Sequence, residues 1–223
     1  MRTKLKAMLE DRPQLRTVFN LYETLLGWNW RTIRRNWPYR SGVAPDGLPI
    51  PPVRLIAKVA GTAEIEAFLN AGDWAATSIR GLLNKHGLAI ERFGSVLDFG
   101  CGCGRVIRRW HTLAGVQIHG VDYNPELIHW CREHLPFAHF AVNSLEPPLP
   151  YVGETFDFIY ALSVFTHLPE ALQQAWLIEL ARVLKPGGYV LLTLHGDYYL
   201  PQLTPAEQQR YHAGDWVVKY EQV

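Results

Sequence analysis

The chain has 223 residues, 48% of them apolar and 19% charged, with a formal net charge of +1. This is the composition of a globular chain with one sizeable core plus an extension. No apolar run approaches the ~20 residues that cross a bilayer, and the N-terminus MRTKLKAMLEDR meets charge too early for a secretory leader. A cytoplasmic protein is the expectation. The three cysteines, Cys101, Cys103 and Cys131, cannot all pair in one chain. Cys101-x-Cys103 also lacks a second Cys/His pair at zinc spacing, so neither a disulfide framework nor a metal site is expected. Residues 1–40 hold nine Lys/Arg against three Asp/Glu, and the remainder thirteen against eighteen. A basic arm therefore precedes a mildly acidic core.

In chain order, Leu15 to Leu26 places apolar residues at helical spacing, with Gly27 as a stop. Trp28, Trp30, Ile33 and Trp37 follow, interleaved with Arg31, Arg34 and Arg35. The proline- and glycine-rich stretch from Pro38 to Pro52 reads as a linker. Two short helices are predicted over Ala63–Leu69 and Trp74–His86, separated near Gly72. Strands are then predicted at Val96–Phe99, Gln117–Val121, Phe137–Val142, Phe156–Ala161 and Tyr189–Leu194. Helices alternate with them over Arg105–Ala114, Pro125–His134 and Glu170–Leu184. Asn124 suits the N-cap of the second of these and Pro125 its first turn, while Pro186-Gly187-Gly188 closes the third. Short apolar strands alternating with helices make a parallel sheet buried on both faces, a doubly wound α/β domain. Ligands to such sheets bind at the carboxyl ends of the strands.

The residues suited to chemistry fall at those ends. Asp98-Phe99-Gly100-Cys101-Gly102-Cys103-Gly104 leaves the first strand as a turn able to take positive φ and to let a ligand approach the backbone. A helix starting there would add unpaired N–H groups. Asp98 is a buried-strand acid that needs a partner, such as a ligand ammonium. The spacing G-x-G-x-G, with Arg105 in the sixth place, departs from the dinucleotide fingerprint. Asp122, about twenty residues beyond the loop, can accept both hydroxyls of a ribose or cap the following helix. Tyr123 would lie against an adenine. Asn143 can donate and accept in one plane toward an adenine edge or simply serve a turn. His195 and His167 stand at the mouth ends of the fifth and fourth strands as candidate bases, or as packing and capping histidines.

VLDFGCGCGRV, HGVDYNPELI, FDFIYALSVFTHL and LKPGGYVLLTLHG, in this order and spacing, resemble the successive motifs of class I S-adenosylmethionine-dependent methyltransferases, most closely the small-molecule and glycan-associated branch. The resemblance covers residues 96–195. It implies a Rossmann-like domain over 53–223, with its core at 90–200, behind a basic helical extension and linker at 1–52. It further implies S-adenosyl-L-methionine as cofactor, with Gly100, Cys101, Gly102 and Gly104 along its methionine and ribose part and Asp98 near its amino group. Asp122 and Tyr123 would hold the adenosine, Asn143 and Ser144 the adenine, and Ala161, Leu162 and Ser163 would border the sulfonium. The family adds a sixth strand and an antiparallel seventh beside the fifth, yet only 28 residues follow His195. Thr204-Pro205-Ala206-Glu207 makes a capping box and Trp216–Tyr220 a strand-like run. The expected result is an open sheet edge, from a truncated chain or one completed by a partner or a swapped segment.

The implied activity is methyl transfer to oxygen or nitrogen of a small molecule, sugar or lipid-linked glycan. The alternatives are a non-catalytic cofactor-binding scaffold of the same fold and an NAD(P)-dependent reductase. Methylation of amides and of adenine nitrogen is disfavoured, because Ala161-Leu162-Ser163-Val164-Phe165 stands where those enzymes carry Asn/Asp-Pro-Pro-aromatic, and a nucleic-acid partner is not expected. The basic arm suits a helical cover over the cofactor cleft with solvated arginines, or an anionic membrane surface, and a homodimer is open.

Overall fold

The computed structural model describes residues 30–215 and residue 217. The helix expected over Leu15–Leu26, and the run Trp216–Tyr220 apart from Val217, lie outside these residues. Five strands, β1 (Ser95–Phe99), β2 (Gln117–Asp122), β3 (His139–Val142), β4 (Phe156–Ala161) and β5 (Leu184–Leu192), form one sheet in the order β3-β2-β1-β4-β5. Every pairing is parallel. The order reverses beside β1, which puts a crevice at the carboxyl ends of β1 and β4.

Each face of the sheet carries its own apolar layer. Val96, Ile118, Phe158 and Tyr160 pack against α2 (Val53–Ala60), α3 (Ile65–Lys85) and α4 (Pro125–His134). Leu97, Phe99, Val121 and Ile159 pack on the other face against Trp176, Leu180 and Val183 of α5 (Glu170–Val183). Alternation along β1 sends neighbouring side chains to opposite layers, which is why its whole length is buried. Burial of each such Leu, Ile or Phe contributes ~1.5–3 kcal/mol. Before these elements lie α1 (Trp30–Asn36) and a single 3₁₀ turn at Trp37–Tyr39; α6 (Pro205–His212) follows them, with Thr204 and Glu207 forming the expected capping box.

Four expectations are corrected. The two helices divided at Gly72 are one helix, α3, and Gly72 marks a close approach instead of a stop. A Cβ there would stand 2.2 Å from the Arg105 carbonyl oxygen, so α3 rests on the backbone just beyond the glycine loop. Gly72→Ala is expected to destabilise by ~1–3 kcal/mol through overpacking, although alanine is the better helix former; thermal unfolding checks this.

The helix expected over Arg105–Ala114 is only a 3₁₀ turn, Ile107–Trp110. From this turn Arg108 and Arg109 both reach the Asp46 carboxylate. The supposed linker is therefore packed into the core: Arg108 donates from Nε at 2.8 Å and Nη2 at 2.9 Å to Asp46, and Val43 bridges to Pro49. Finally, β5 begins before Pro186-Gly187-Gly188 instead of after it. Between Phe156 opposite Leu184 and Phe158 opposite Tyr189 it bulges, a tolerated place for Pro and Gly in a strand. There Lys185 Nζ meets Asp157 at 2.9 Å.

Among the described strands β5 ends the sheet order. No sixth strand follows it among the described residues. Also among these residues, no helix is long and apolar enough to cross a membrane.

Candidate cofactor site at the carboxyl edge

The loop after β1 turns back at once, with φ of +80° at Gly100 and +58° at Gly102. These values favour glycine, and space demands it as well. A Cβ on Gly100 would sit 2.4 Å from Val164 Cγ2, and one on Gly102 2.8 Å from Val59 Cγ2. Val164, beyond β4, and Val59, on α2, thus border the loop from two sides.

The loop amides are largely committed. Gly100 and Cys101 N–H both donate to the Val121 carbonyl, at 2.8 and 2.9 Å. Gly102 N–H donates to Asp122 Oδ2 at 2.9 Å, and Asn124 N–H to Asp122 Oδ1 at 2.9 Å. With no α-helix starting at Arg105, the expected cluster of unpaired helical N–H groups is not formed there. Instead Asp122 clasps the loop to the end of β2, one amide on each oxygen. Each carboxylate oxygen retains a further acceptor direction. Burial raises the Asp122 carboxyl above its ordinary value, against those two N–H bonds.

Asp98 lies beneath the loop, 4% exposed, beside Gly120 and Tyr160 in the sheet register. Burial pushes its carboxyl up to about 7, against a hydrogen bond from Tyr160 and the charge of Arg105, with Asp122 adding to the rise. Trp110 Nε1 donates to the Tyr160 hydroxyl oxygen at 2.8 Å, which leaves the Tyr160 proton for Asp98. Arg105 keeps its Nε buried with no hydrogen-bond partner. Opposite charges, Asp98 and Arg105, thus stand at the two ends of the glycine loop.

The sequence missed Tyr160 and Trp110 because both read as core aromatics. In the sequence Arg105 argues only against a dinucleotide. Its place directly after the last loop glycine was the available signal.

The remaining candidates spread along the same edge. Asn143 continues from β3, its N–H donating to the Asp122 carbonyl at 3.2 Å and its Nδ2 to the Ser144 carbonyl at 2.7 Å. Ser144 is exposed, and Tyr123 is 58% exposed. Ala161 is fully buried at the end of β4 and Leu162 half-buried. Ser163 then takes φ of +57°, a left-handed conformation that disfavours a serine by ~1–2 kcal/mol. Thr193 holds it there: its Oγ1 accepts from Ser163 N–H at 2.7 Å, and its own N–H donates to the Ala161 carbonyl at 3.2 Å.

Cys101 turns its thiol inward, and burial pushes the Cys101 and Cys103 thiols well up, which keeps them unreactive. His167 is exposed at the end of a 3₁₀ turn after β4. His195 is exposed after β5 and stacks on Tyr199, with ring centroids 3.7 Å apart.

Comparison with known proteins finds similarity over the same stretch of chain. The family described as a methyltransferase domain matches residues 96–188. The chain is 32% identical over 133 residues to a malonyl-[acyl-carrier protein] O-methyltransferase of Salmonella typhimurium, covering 57% of this chain and 50% of that one. It is 29% identical over 120 residues to phosphoethanolamine N-methyltransferase 2 of Caenorhabditis elegans, covering 49% and 27%. A solved TehB-like methyltransferase of Corynebacterium glutamicum aligns at TM-score 0.43 and 24% identity, over 57% of this chain and 74% of that one. The chain thus spans half the length, or less, of these two curated relatives. Residues 96–188 are similar to a methyltransferase domain, the likeness that the four motifs of the sequence imply.

Proposed function

We propose that the protein binds S-adenosyl-L-methionine at the carboxyl edge of its sheet and transfers the methyl group to an oxygen or nitrogen of a small molecule, a sugar or a lipid-linked glycan. The observation that carries this reading is the set of charges around the glycine loop. The buried Asp98 carboxyl lies near Arg105, whose Nε is unpartnered, and Asp122 closes the other side of the loop.

These residues fit the cofactor. Its ammonium would face Asp98 and its carboxylate Arg105, so each end of a zwitterion meets the opposite charge. The Asp122 oxygens, already oriented by two N–H groups, would accept from the ribose hydroxyls. Asn143, Ser144 and Tyr123 would border the adenine, and the turn at Ala161, Leu162 and Ser163 the sulfonium. Val59 and Val164 would keep water from the loop.

The bound sulfonium supplies an already activated methyl group. The chain's own task is then alignment, which can lower a barrier by ~7–11 kcal/mol. The Thr193 brace on Ser163 suits that task. His195, or His167 on the neighbouring loop, would take the proton of a hydroxyl acceptor, a contribution of ~10²–10⁴-fold. Measured S-adenosylhomocysteine release over a panel of free sugars, a lipid-linked sugar and small amines tests the reading. Acceptor-dependent release supports transfer. A protein that binds donor yet shows no acceptor-dependent release is a scaffold, and refutes it.

A pH dependence follows from Asp98. Because its folded value is about 7, the carboxylate that an ammonium prefers forms only as pH rises past that point. Affinity for S-adenosylhomocysteine, measured by calorimetry, is expected to weaken about tenfold per unit below pH 7. For the ligand-free fold the sign is opposite. A carboxyl raised on folding contributes stability in full below its unfolded value, and this is lost as pH rises to about 7. Asp98→Asn should remove both dependences.

A further inference from the structure

Helix α1 presents its faces in reverse. Trp30, Ile33, Arg34 and Trp37 recur at the spacing of one helical stripe, which in a surface helix ordinarily turns toward the core. Here the buried residue of α1 is Thr32. Asn36 donates from Nδ2 to the Ala63 carbonyl at 2.9 Å and accepts the Ile65 N–H on Oδ1 at 3.0 Å. Arg35 Nη1 reaches both Glu64 carboxylate oxygens at 2.6 Å. These polar bonds to the start of α3 fix the rotation of α1 about its axis. The apolar stripe consequently faces outward, with Trp30 65%, Ile33 47% and Trp37 62% exposed. With Arg34 and Pro38 it lines a shallow groove.

Charge surrounds this stripe. Residues 30–40 include four arginines and no Asp or Glu. The Arg31 guanidinium lies over the Trp30 ring at 5.4 Å, and that of Arg40 over Trp37 at 5.2 Å. Each outward tryptophan thus carries a cation beside it. A contiguous exposed apolar patch marks an interaction site, and this one fits a partner that is apolar and anionic together.

We propose that this face docks on an anionic lipid bilayer surface. Indole rings settle at headgroup level, Ile33 reaches the acyl boundary, and the guanidinium heads stay among the phosphates. A nucleic acid would use the tryptophans and arginines, but Ile33 and Pro38, within the same groove, offer a base neither stacking nor a hydrogen bond. The contact lies beside the start of α3.

Co-sedimentation of the full chain with vesicles of phosphatidylcholine, alone or mixed with phosphatidylglycerol, tests the proposal. Wild type is expected to bind the anionic vesicles and to be released by salt. Trp30→Ala with Trp37→Ala should weaken that binding about tenfold, and Ile33→Glu should weaken it as well. All three positions are exposed, and the far-ultraviolet circular dichroism melt should match wild type. Failure of wild type to bind anionic vesicles overturns the proposal. So does undiminished binding by folded variants, which would assign the contact to the basic residues before Trp30. Binding of single-stranded RNA alone, or a dimer that the tryptophan variants dissociate, overturns it too.

Discussion

Asp46→Ala is expected to destabilise the protein by ~3–5 kcal/mol, because it leaves a buried guanidinium without its counter-charge. Arg108 is fully buried and spends Nε and Nη2 on the Asp46 carboxylate, with a weaker contact from Nη2 to the Leu48 carbonyl at 3.3 Å. Arg109 Nη1 shares the same carboxylate at 3.1 Å. Burial works to raise the Asp46 carboxyl, but Arg108, the Leu48 N–H and Arg109 together hold it below the ordinary range. Its contribution is therefore complete above the unfolded value and is lost as pH falls through the lowered folded one. Urea unfolding should show a shifted midpoint at unchanged slope. Pairing Asp46→Ala with Arg108→Met should recover most of the loss, since a buried ion pair exchanged for apolar packing is often neutral or better. A loss for Asp46→Ala below ~1 kcal/mol, the range of a surface ion pair, would contradict the assignment.

Asp122→Ala is expected to weaken binding of S-adenosylhomocysteine by ~100-fold or more, the worth of two hydrogen bonds to a charged acceptor. The loss has two sources. The ribose would lose its acceptor, and the Gly102 and Asn124 N–H groups would lose theirs, loosening the loop from β2. Asp122→Asn should be no milder. Each oxygen of Asp122 accepts from a backbone N–H, so an amide must turn its NH₂ group against one of them. Calorimetric titration of both variants separates this clasp from a simple ribose contact, for which the asparagine would retain part of the affinity.

The sheet was legible because its strands are short apolar runs bounded by strong punctuation. Strands β1, β2 and β4 agree with their expected spans to within a residue, and α4 begins at Pro125 behind the Asn124 cap, whose side chain accepts Glu126 N–H. What was not legible depends on distant partners. Gly72 reads as a break until the Arg105 carbonyl is found against it. Arg108 and Arg109 on the Ile107–Trp110 turn pair with Asp46, some sixty residues earlier and inside a stretch that composition assigns to a linker. Pro186-Gly187-Gly188 ends a helix by local rules, yet the pairing of β4 with Leu184 and Tyr189 on either side makes it a bulge.

The site shows the same division. The spacing of Asp98, the loop glycines and Asp122 was visible in the sequence. The Trp110–Tyr160–Asp98 relay and the orphaned Arg105 nitrogen were not, because hydrogen-bond direction and burial leave no trace in spacing. One of the two readings of the arm is a cover that lays its tryptophans over the cofactor cleft. The described part of it exposes Trp30 and Trp37 instead, because Asn36 and Arg35 bind the start of α3 and set the opposite rotation.

The charge pattern around the glycine loop is tested most directly by isothermal titration of the full-length chain at pH 8 with S-adenosylhomocysteine and, separately, with NADH. Saturable one-to-one binding of the adenosyl ligand, weakened in Asp122→Ala, and no heat from the nicotinamide are expected. Folded protein that gives no heat with the adenosyl ligand, or that binds NADH in its place, would contradict this assignment.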